Sequence, residues 1–390
     1  MDSNMKEEKI ITRDFALAFV ASFFFLASLY LLIPIIPLFM SEKLKIDAPR
    51  IGLLMGVMTF SSMLLRPAVG YASDKVGRKP MLLFGSIIFM IAPLLYNLVR
   101  GAEMVALVLA FHGAGIACFH TASLIFIGDI APGKRVGKSM SWFQSSFNLS
   151  IMISPPLGAA IMENSGYSNA FLTSSCLAAV ALVLVFFIPE SGAKAIEAVK
   201  FSGKPSHLYK VLIYSSIAAF SGTVALGSTE SFIGLYAKSR GIGGFALYFA
   251  VSAGTLLLLR TLAGGIPDRI GRKASISLSL LTLAASLAIL ATADSLLLLL
   301  LSSVAYGIGF SFLSPSISAF ITENVPSEKL GAAFGIYTSL FEGGIAAGSI
   351  ITGAVAGASG YSAAFASIAA ISCVGATFSA LSGPRRHPCS

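Results

Sequence analysis

Six ionisable residues lie inside long apolar segments of the chain, where charged groups are energetically costly and usually functional. They are Arg66, His112, His120, Glu230, Arg260 and Glu342. Carboxyl and imidazole groups in such places can exchange protons near neutral pH, and a guanidinium can bind an anion. The residue types therefore point to proton transfer, anion binding, or both, in an apolar setting.

Two short polar loops carry a second set of charged residues. They read GYASDKVGRKP, from Gly70, and GGIPDRIGRKA, from Gly264, and each has glycine, aspartate and arginine at the same spacing. The glycine before the arginine permits a tight turn, and an arginine can fork onto carboxylates. The residues concerned are Gly70, Asp74, Gly77, Arg78 and Lys79 with Asp129 as a partner, and Gly264, Asp268, Gly271 and Arg272 with Glu323 as a partner.

The composition places both sets of residues in a membrane protein. The chain has 390 residues, of which 56% are hydrophobic and 12% charged, whereas a soluble domain carries about 25% charged residues. Because each apolar segment approaches or exceeds the ~20 residues that cross a bilayer as a helix, we expect an all-α integral membrane fold with twelve spans. The spans are predicted at Phe15–Met40, Ile51–Ser73, Met81–Val99, Met104–Ile127, Gly137–Met162, Tyr167–Ile188, Val211–Tyr236, Phe245–Ile266, Ile276–Ala293, Leu296–Phe320, Gly331–Ala356 and Tyr361–Leu381.

The distribution of basic residues predicts the orientation. An even number of spans leaves both termini on one side, and that side carries 19 of the 27 lysines and arginines, against six on the other. The positive-inside rule then places both termini in the cytoplasm. The net charge of +9 is explained by this anchoring, without a nucleic-acid partner.

The chain also contains an internal repeat with a constant offset of 194 residues, the separation of Asp74 and Asp268. The register continues downstream, where GYSNAF at Gly166 aligns with GYSAAF at Gly360. We therefore predict two six-span bundles of the same orientation, at 1–189 and 211–390, joined by a cytoplasmic linker at 190–210.

The loop Gly70-x-x-x-Asp74-Lys75-x-Gly77-Arg78-Lys79, between the second and third of twelve spans, resembles the signature loop of the major facilitator superfamily. Its second copy and the twelve spans extend this resemblance over the whole chain. The resemblance implies transport by alternating access, with the two loops forming a latch that holds two pseudo-symmetric bundles together. Asp74 would then meet the amino end of span eleven near Gly331, and Gly70 would let that helix approach. The alternative is that these charges only anchor short loops.

The repeat separates the ionisable residues within the spans into two kinds. Arg66 and Arg260 occupy equivalent positions in the two copies of the repeat. They either bind an anionic substrate or form a structural pair that supports the latch. The two carboxylates do not repeat, because Glu230 aligns with Ile36, and Glu342 aligns with Asn148. This asymmetry favours proton or substrate binding at Glu230, Glu342 and Asn148, with helix packing as the alternative.

The histidines of span four, His112 and His120, are candidates for proton binding or packing. Proton-coupled members of the resembled family often carry an arginine four residues before Gly113, where this chain has Leu109. Coupling would then use other groups, such as His112.

We expect secondary active transport of a small organic solute, with protons as the coupling ion. The resemblance is greatest to the antiporters that export drugs or metabolites. The alternative is proton-coupled uptake of a sugar or an organic acid, whose anion Arg66 and Arg260 would bind.

No catalytic motif, nucleotide-binding loop or paired-cysteine metal spacing occurs in the sequence, so an enzyme, a cofactor and a metal are not expected. The remaining expectations are a monomer in the plasma membrane, in contact with lipid.

Overall fold

The computed structural model describes residues 11–132, 136–191, 206–326 and 329–382. These residues form α-helices joined by short turns, and none of the described residues is in a strand. The helices are α1 (Arg13–Leu32), α2 (Ile35–Glu42), α3 (Ala48–Val76), α4 (Arg78–Leu95), α5 (Ala102–Ile130), α6 (Val136–Ser165), α7 (Tyr167–Phe186), α8 (Ser206–Ser239), α9 (Leu247–Ala263), α10 (Ile266–Ile270), α11 (Arg272–Thr292), α12 (Leu296–Asn324) and α13 (Leu330–Ser382). The predicted all-α membrane fold is confirmed.

Each predicted span falls on one or two of these helices. Within the described residues, nine helical stretches are long and apolar enough to cross a bilayer. One of them, Ala333–Ser382, contains two predicted spans, and Gly360, with φ 84° and ψ 167°, marks the break between them. The remaining two predicted spans correspond to α6 and to the shorter α9.

The first predicted span is broken. It forms α1 and α2, because Pro34 and Pro37 have no N–H to donate to the preceding helical turn. Pro315, by contrast, lies inside the continuous helix α12.

The described helices divide into two compact units. Unit 1 comprises 1–32 and 61–196, and unit 2 comprises 33–60 and 197–390. Helix α2 and the first part of α3 therefore pack with the second half of the chain. The bundle boundaries at 1–189 and 211–390 stay a prediction, and most of the expected linker, 192–205, lies outside the described residues.

Unit 1 is built around an aromatic core where α1, α4 and α5 meet. The ring of Phe25 stacks on that of Phe119 with centroids 3.9 Å apart, and the ring of Phe89 lies 4.0 Å away. Gly85 lets α4 approach α5, because a Cβ there would lie 2.7 Å from the backbone nitrogen of Phe119. His112 on α5 packs against this core, with its ring 4.4 Å from that of Phe89.

Unit 2 is held together by close packing of α8 on the first half of α13. Gly227, Gly344 and Gly348 lie where any side chain would meet the partner helix. Hydroxyl pairs join the same helices, with Ser231 Oγ 2.8 Å from Ser349 Oγ, and Thr352 Oγ1 donating to Ser228 Oγ at 2.8 Å. Small residues and interhelical hydrogen bonds are the usual means of helix association in lipid.

The segment 33–60 adds a second contact region to unit 2. Gly52, on α3, faces the backbone of Ser349 and Gly353 on α13, and Glu42 forms an ion pair with Lys238 at the end of α8. Gly52 lies in the second turn of α3, near the beginning of that helix.

Candidate functional site

The first signature loop forms a buried charge cluster in unit 1, the N-terminal motif network of Asp74, Arg78 and Asp129. Arg78 is fully buried; its Nη1 lies 2.8 Å from Asp74 Oδ1, and its Nε donates to Asp129 Oδ2 at 3.0 Å. The contact with Asp129, proposed from the sequence, is confirmed. Nη1 of Arg78 also donates to the carbonyl oxygen of Ser73 at 2.5 Å, which ties the loop to the end of α3.

Glu190, which the sequence interpretation missed, caps the helix that follows this loop. Its Oε1 accepts hydrogen bonds from the backbone N–H groups of Arg78, at 2.6 Å, and Lys79, at 3.4 Å. A carboxylate at a helix N-terminus satisfies free N–H groups and the helix dipole. The neighbouring Ser191 donates to Asp129 Oδ2 at 2.8 Å, so the segment after α7 joins the N-terminal motif network.

The position of the Glu190 carboxylate explains why residue 77 is a glycine. The residue has φ 108°, which confirms the predicted turn, and a Cβ there would lie 2.6 Å from Glu190 Oε2. A side chain at position 77 would therefore be strained and would also displace the cap. At Gly70, by contrast, no described atom lies within 4 Å of an added Cβ, so the structure does not explain the glycine there.

Replacing Glu190 by glutamine is expected to lower the free energy of unfolding by roughly 0.5–1 kcal/mol, since the helix N-terminus loses an anionic acceptor. Thermal unfolding of the purified protein in detergent measures this change. Glu163→Gln is the matched control, because Glu163 is an exposed carboxylate near the other end of the bundle. Equal melting temperatures for the two variants would show that the negative charge of the capping group contributes nothing.

The second signature loop forms the C-terminal motif network of Asp268, Arg272 and Glu323 in unit 2. Arg272 Nη1 lies 2.5 Å from Asp268 Oδ1, and Nε donates to Glu323 Oε1 at 2.9 Å. The geometry repeats that of the first loop, including a left-handed glycine, Gly271, with φ 89°. The burial does not repeat: the Arg272 side chain is 20% exposed and its two partners 61% and 42%.

The two unrepeated carboxylates both belong to unit 2. Glu230 lies on α8 between Gly227 and Ser231, two residues that pack on α13, and its side chain is half-buried. Glu342 lies on α13 and is also half-buried. Asn148, the counterpart of Glu342 in the repeat, lies half-buried on α6 in unit 1. Their proton or substrate roles stay predictions.

The two histidines of α5 have different surroundings. His112 is completely buried, with its ring edge-on to Phe89 at 4.4 Å and its Nδ1 3.3 Å from the Tyr96 hydroxyl oxygen. This geometry favours packing for His112. His120 is half-buried on α5, and its Nδ1 is buried without a hydrogen-bond partner among the described residues.

Arg260 has a different environment in unit 2. It lies in the last turn of α9, and its Nε is buried without a hydrogen-bond partner among the described residues.

The fold and the duplicated charged loops define a multi-pass α-helical membrane protein. The family model described as Major Facilitator Superfamily matches residues 18–266 and 245–390. The chain belongs to this superfamily, which consists of transporters rather than enzymes.

Relatives and solved structures agree with this membership. The chain is 25% identical over 330 residues to "Multidrug resistance protein 2" of Bacillus subtilis, covering 80% of this chain and 81% of the relative. It is 22% identical over 333 residues to "Quinolone resistance protein NorA" of Staphylococcus aureus, covering 83% and 85%. A crystal structure of the nucleoside transporter NupG matches with a TM-score of 0.77 at 16% identity, covering 94% of this chain and 99% of that one.

Proposed function

We propose that the protein exports a small organic solute across the cytoplasmic membrane in exchange for protons. The observation that carries this proposal is Glu230, a half-buried carboxyl group on a membrane-spanning helix with no counterpart in the repeat and no ion pair among the described residues. The names of two relatives, a multidrug and a quinolone resistance protein, support export as the direction.

The carboxyl group provides a physical route to coupling. A carboxyl group within a membrane span is costly as an anion and is therefore readily protonated. When the site opens to the acidic side, Glu230 takes up a proton, and the neutral group allows the conformational change. When the site opens to the cytoplasm, the proton leaves and the negative charge favours solute binding. Glu342 on α13 is the second carboxyl group proposed for this cycle.

The two motif networks would supply the conformational control. Each network fixes a signature loop at one end of its own unit through an arginine shared between two carboxylates. As proposed, both loops lie at the cytoplasmic face, together with both termini, because that side carries most of the basic residues. The latch closes this face when the solute site opens outward and releases when it opens inward.

Replacing Glu230 by glutamine is expected to abolish proton-driven export, because an amide cannot take up and release a proton in this way. In proteoliposomes with a pH gradient, solute accumulation by the Glu230→Gln variant should fall to the level of empty liposomes. Exchange of labelled for unlabelled solute without a gradient should persist, since it needs no net proton movement.

The control for this experiment is Glu103→Gln, an exposed carboxylate in the first turn of α5. It should transport like the wild type in both assays. Undiminished gradient-driven accumulation by the Glu230→Gln variant would remove Glu230 from the coupling mechanism.

A further inference from the structure

A polar cavity of about 390 Å³ lies in unit 2, where α8 ends and the second half of α13 begins after the break at Gly360. Its lining consists of polar and aromatic side chains from these two segments: Tyr236, Ser239, Arg240, Ser359, Tyr361 and Ser362. Because membrane-spanning helices end or begin at this point, the cavity is expected at the level of the phospholipid headgroups.

Arg240 supplies the charge of this cavity and is held in place from two sides. Its Nη2 donates to Ser362 Oγ at 2.8 Å, and its guanidinium lies over the ring of Tyr236, 5.6 Å from the ring centroid. Among the residues that the structure describes, no carboxylate lies within 4.0 Å of Arg240, whereas the neighbouring Lys238 pairs with Glu42. The oriented guanidinium is therefore available to an anion.

The other free polar groups of the cavity are hydroxyls. Those of Ser359 and Tyr361 make no hydrogen bond within the described part of the chain, and Ser362, which accepts from Arg240, keeps its own hydrogen to donate. Each of these hydroxyls can donate one hydrogen bond. A phosphate group accepts several such bonds, and arginine binds it in forked geometry. The donors of the cavity therefore match a phosphate.

An apolar cavity of about 460 Å³ lies farther along the same two helices. It is lined by Ile217 and Ser221 on α8, and by Ile371, Val374 and Phe378 on the second half of α13. Since Val374 is 70% exposed in a membrane protein, this cavity opens towards lipid. A polar and an apolar cavity thus follow one another along a single helix pair.

The spacing of the two cavities matches the dimensions of a lipid leaflet. Ile371 lies nine residues after Ser362, which corresponds to a rise of about 14 Å along an α-helix. One leaflet of the hydrocarbon core is about 15 Å thick. Between the cavities the same face of α13 carries the small residues Ala363 and Ser367, at helical spacing. An acyl chain that starts from the polar cavity can therefore reach the apolar one.

We infer that α8 and the second half of α13 bind a phospholipid. Its phosphate lies in the polar cavity, where Arg240 and the hydroxyls of Ser359 and Tyr361 donate to its oxygens. One acyl chain follows α13 and packs in the apolar cavity against Ile217 and Val374. The lipid links the ends of the two helices, and the inference does not depend on the solute or on the coupling ion.

The test measures lipid binding to the delipidated, full-length protein by native mass spectrometry. The probes are dioleoyl phosphatidylglycerol, dioleoylglycerol, which lacks the phosphate, and glycerol phosphate, which lacks the acyl chains. The wild type should bind phosphatidylglycerol more tightly than either of the other two. In Arg240→Gln, the Kd of phosphatidylglycerol should rise about tenfold, the loss expected for a charge-assisted hydrogen bond, while the Kd of dioleoylglycerol stays unchanged.

Two further variants separate the headgroup from the chain. Arg269→Gln removes an exposed arginine from α10 and should bind all three probes like the wild type. Ala370→Phe places a ring in the apolar cavity, which Ala370 lines. It should weaken the binding of dioleoyl phosphatidylglycerol but not of dihexanoyl phosphatidylglycerol, whose chains are too short to reach that cavity.

The inference would be overturned by an unchanged Kd of phosphatidylglycerol in Arg240→Gln, or by an equal loss in Arg269→Gln, which would indicate attraction by charge in general. Glycerol phosphate that binds as tightly as phosphatidylglycerol would identify a site for a soluble phosphate instead. An Ala370→Phe variant with undiminished affinity for the dioleoyl lipid would contradict the path of the acyl chain.

Discussion

Replacing Arg78 by glutamine is expected to lower the free energy of unfolding by about 3–5 kcal/mol, because it leaves two carboxylates without their shared cation. Arg78 itself is 0% exposed, and Asp74 and Asp129 are only 29% and 18% exposed. Water therefore replaces little of the lost interaction. The carbonyl oxygen of Ser73 loses its donor as well.

The matched control is the same substitution in the second motif network. Arg272→Gln breaks the equivalent contacts, but exposed ion pairs contribute only about 0–1 kcal/mol, and Asp268 and Glu323 are well exposed. Thermal and chemical unfolding of both variants in detergent should give a large shift for Arg78 and a small one for Arg272. Shifts of equal size would mean that the difference in burial has no energetic consequence.

The second large effect is expected at Gly348, where α13 crosses α8 backbone to backbone. A Cβ at this position would lie 2.9 Å from the carbonyl carbon of Val224 and closer still to its oxygen. Because backbone atoms cannot rotate away as a side chain can, the helices must separate. Gly348→Ala should therefore cost about 1–3 kcal/mol, the usual penalty of overpacking.

Gly343, on the same helix, provides the control. An added Cβ there would meet no described atom within 4 Å. Gly343→Ala should be neutral or should stabilise the helix by up to about 1 kcal/mol, since alanine has the higher helix propensity. Both variants gain the same helix propensity, so the difference between their melting temperatures measures the destabilisation caused by overpacking at Gly348. A Gly348→Ala variant as stable as Gly343→Ala would contradict the close crossing of α8 and α13.

The helices were predictable because membrane spans depend on a simple property, a run of about 20 apolar residues. The turn at Gly77 and the contact of Arg78 with Asp129 followed from local spacing and charge. The break between α1 and α2 was harder to predict from the sequence. A proline indicates that a helix is distorted, but it does not indicate whether the helix ends there. Pro34 accompanies a break, whereas Pro315 lies in a continuous helix.

The residues missed by sequence reasoning depend on contacts between distant segments. Glu190 caps α4 from the end of the sixth span, and the repeat aligns it with Pro384, so duplication gave no indication. The packing of 33–60 within unit 2 likewise depends on helix contacts that no local pattern encodes.

Proton antiport is the central claim, and solute-driven proton movement in proteoliposomes tests it most directly. Wild-type protein is reconstituted with a pH-sensitive dye inside the vesicles, and solute is added outside without a pre-formed pH gradient. Solute entering in exchange for protons should acidify the outside and make the interior alkaline at a rate that depends on solute concentration. An interior that becomes acidic would establish uptake together with protons, and an unchanged internal pH during measurable solute entry would exclude proton coupling; either result contradicts the account.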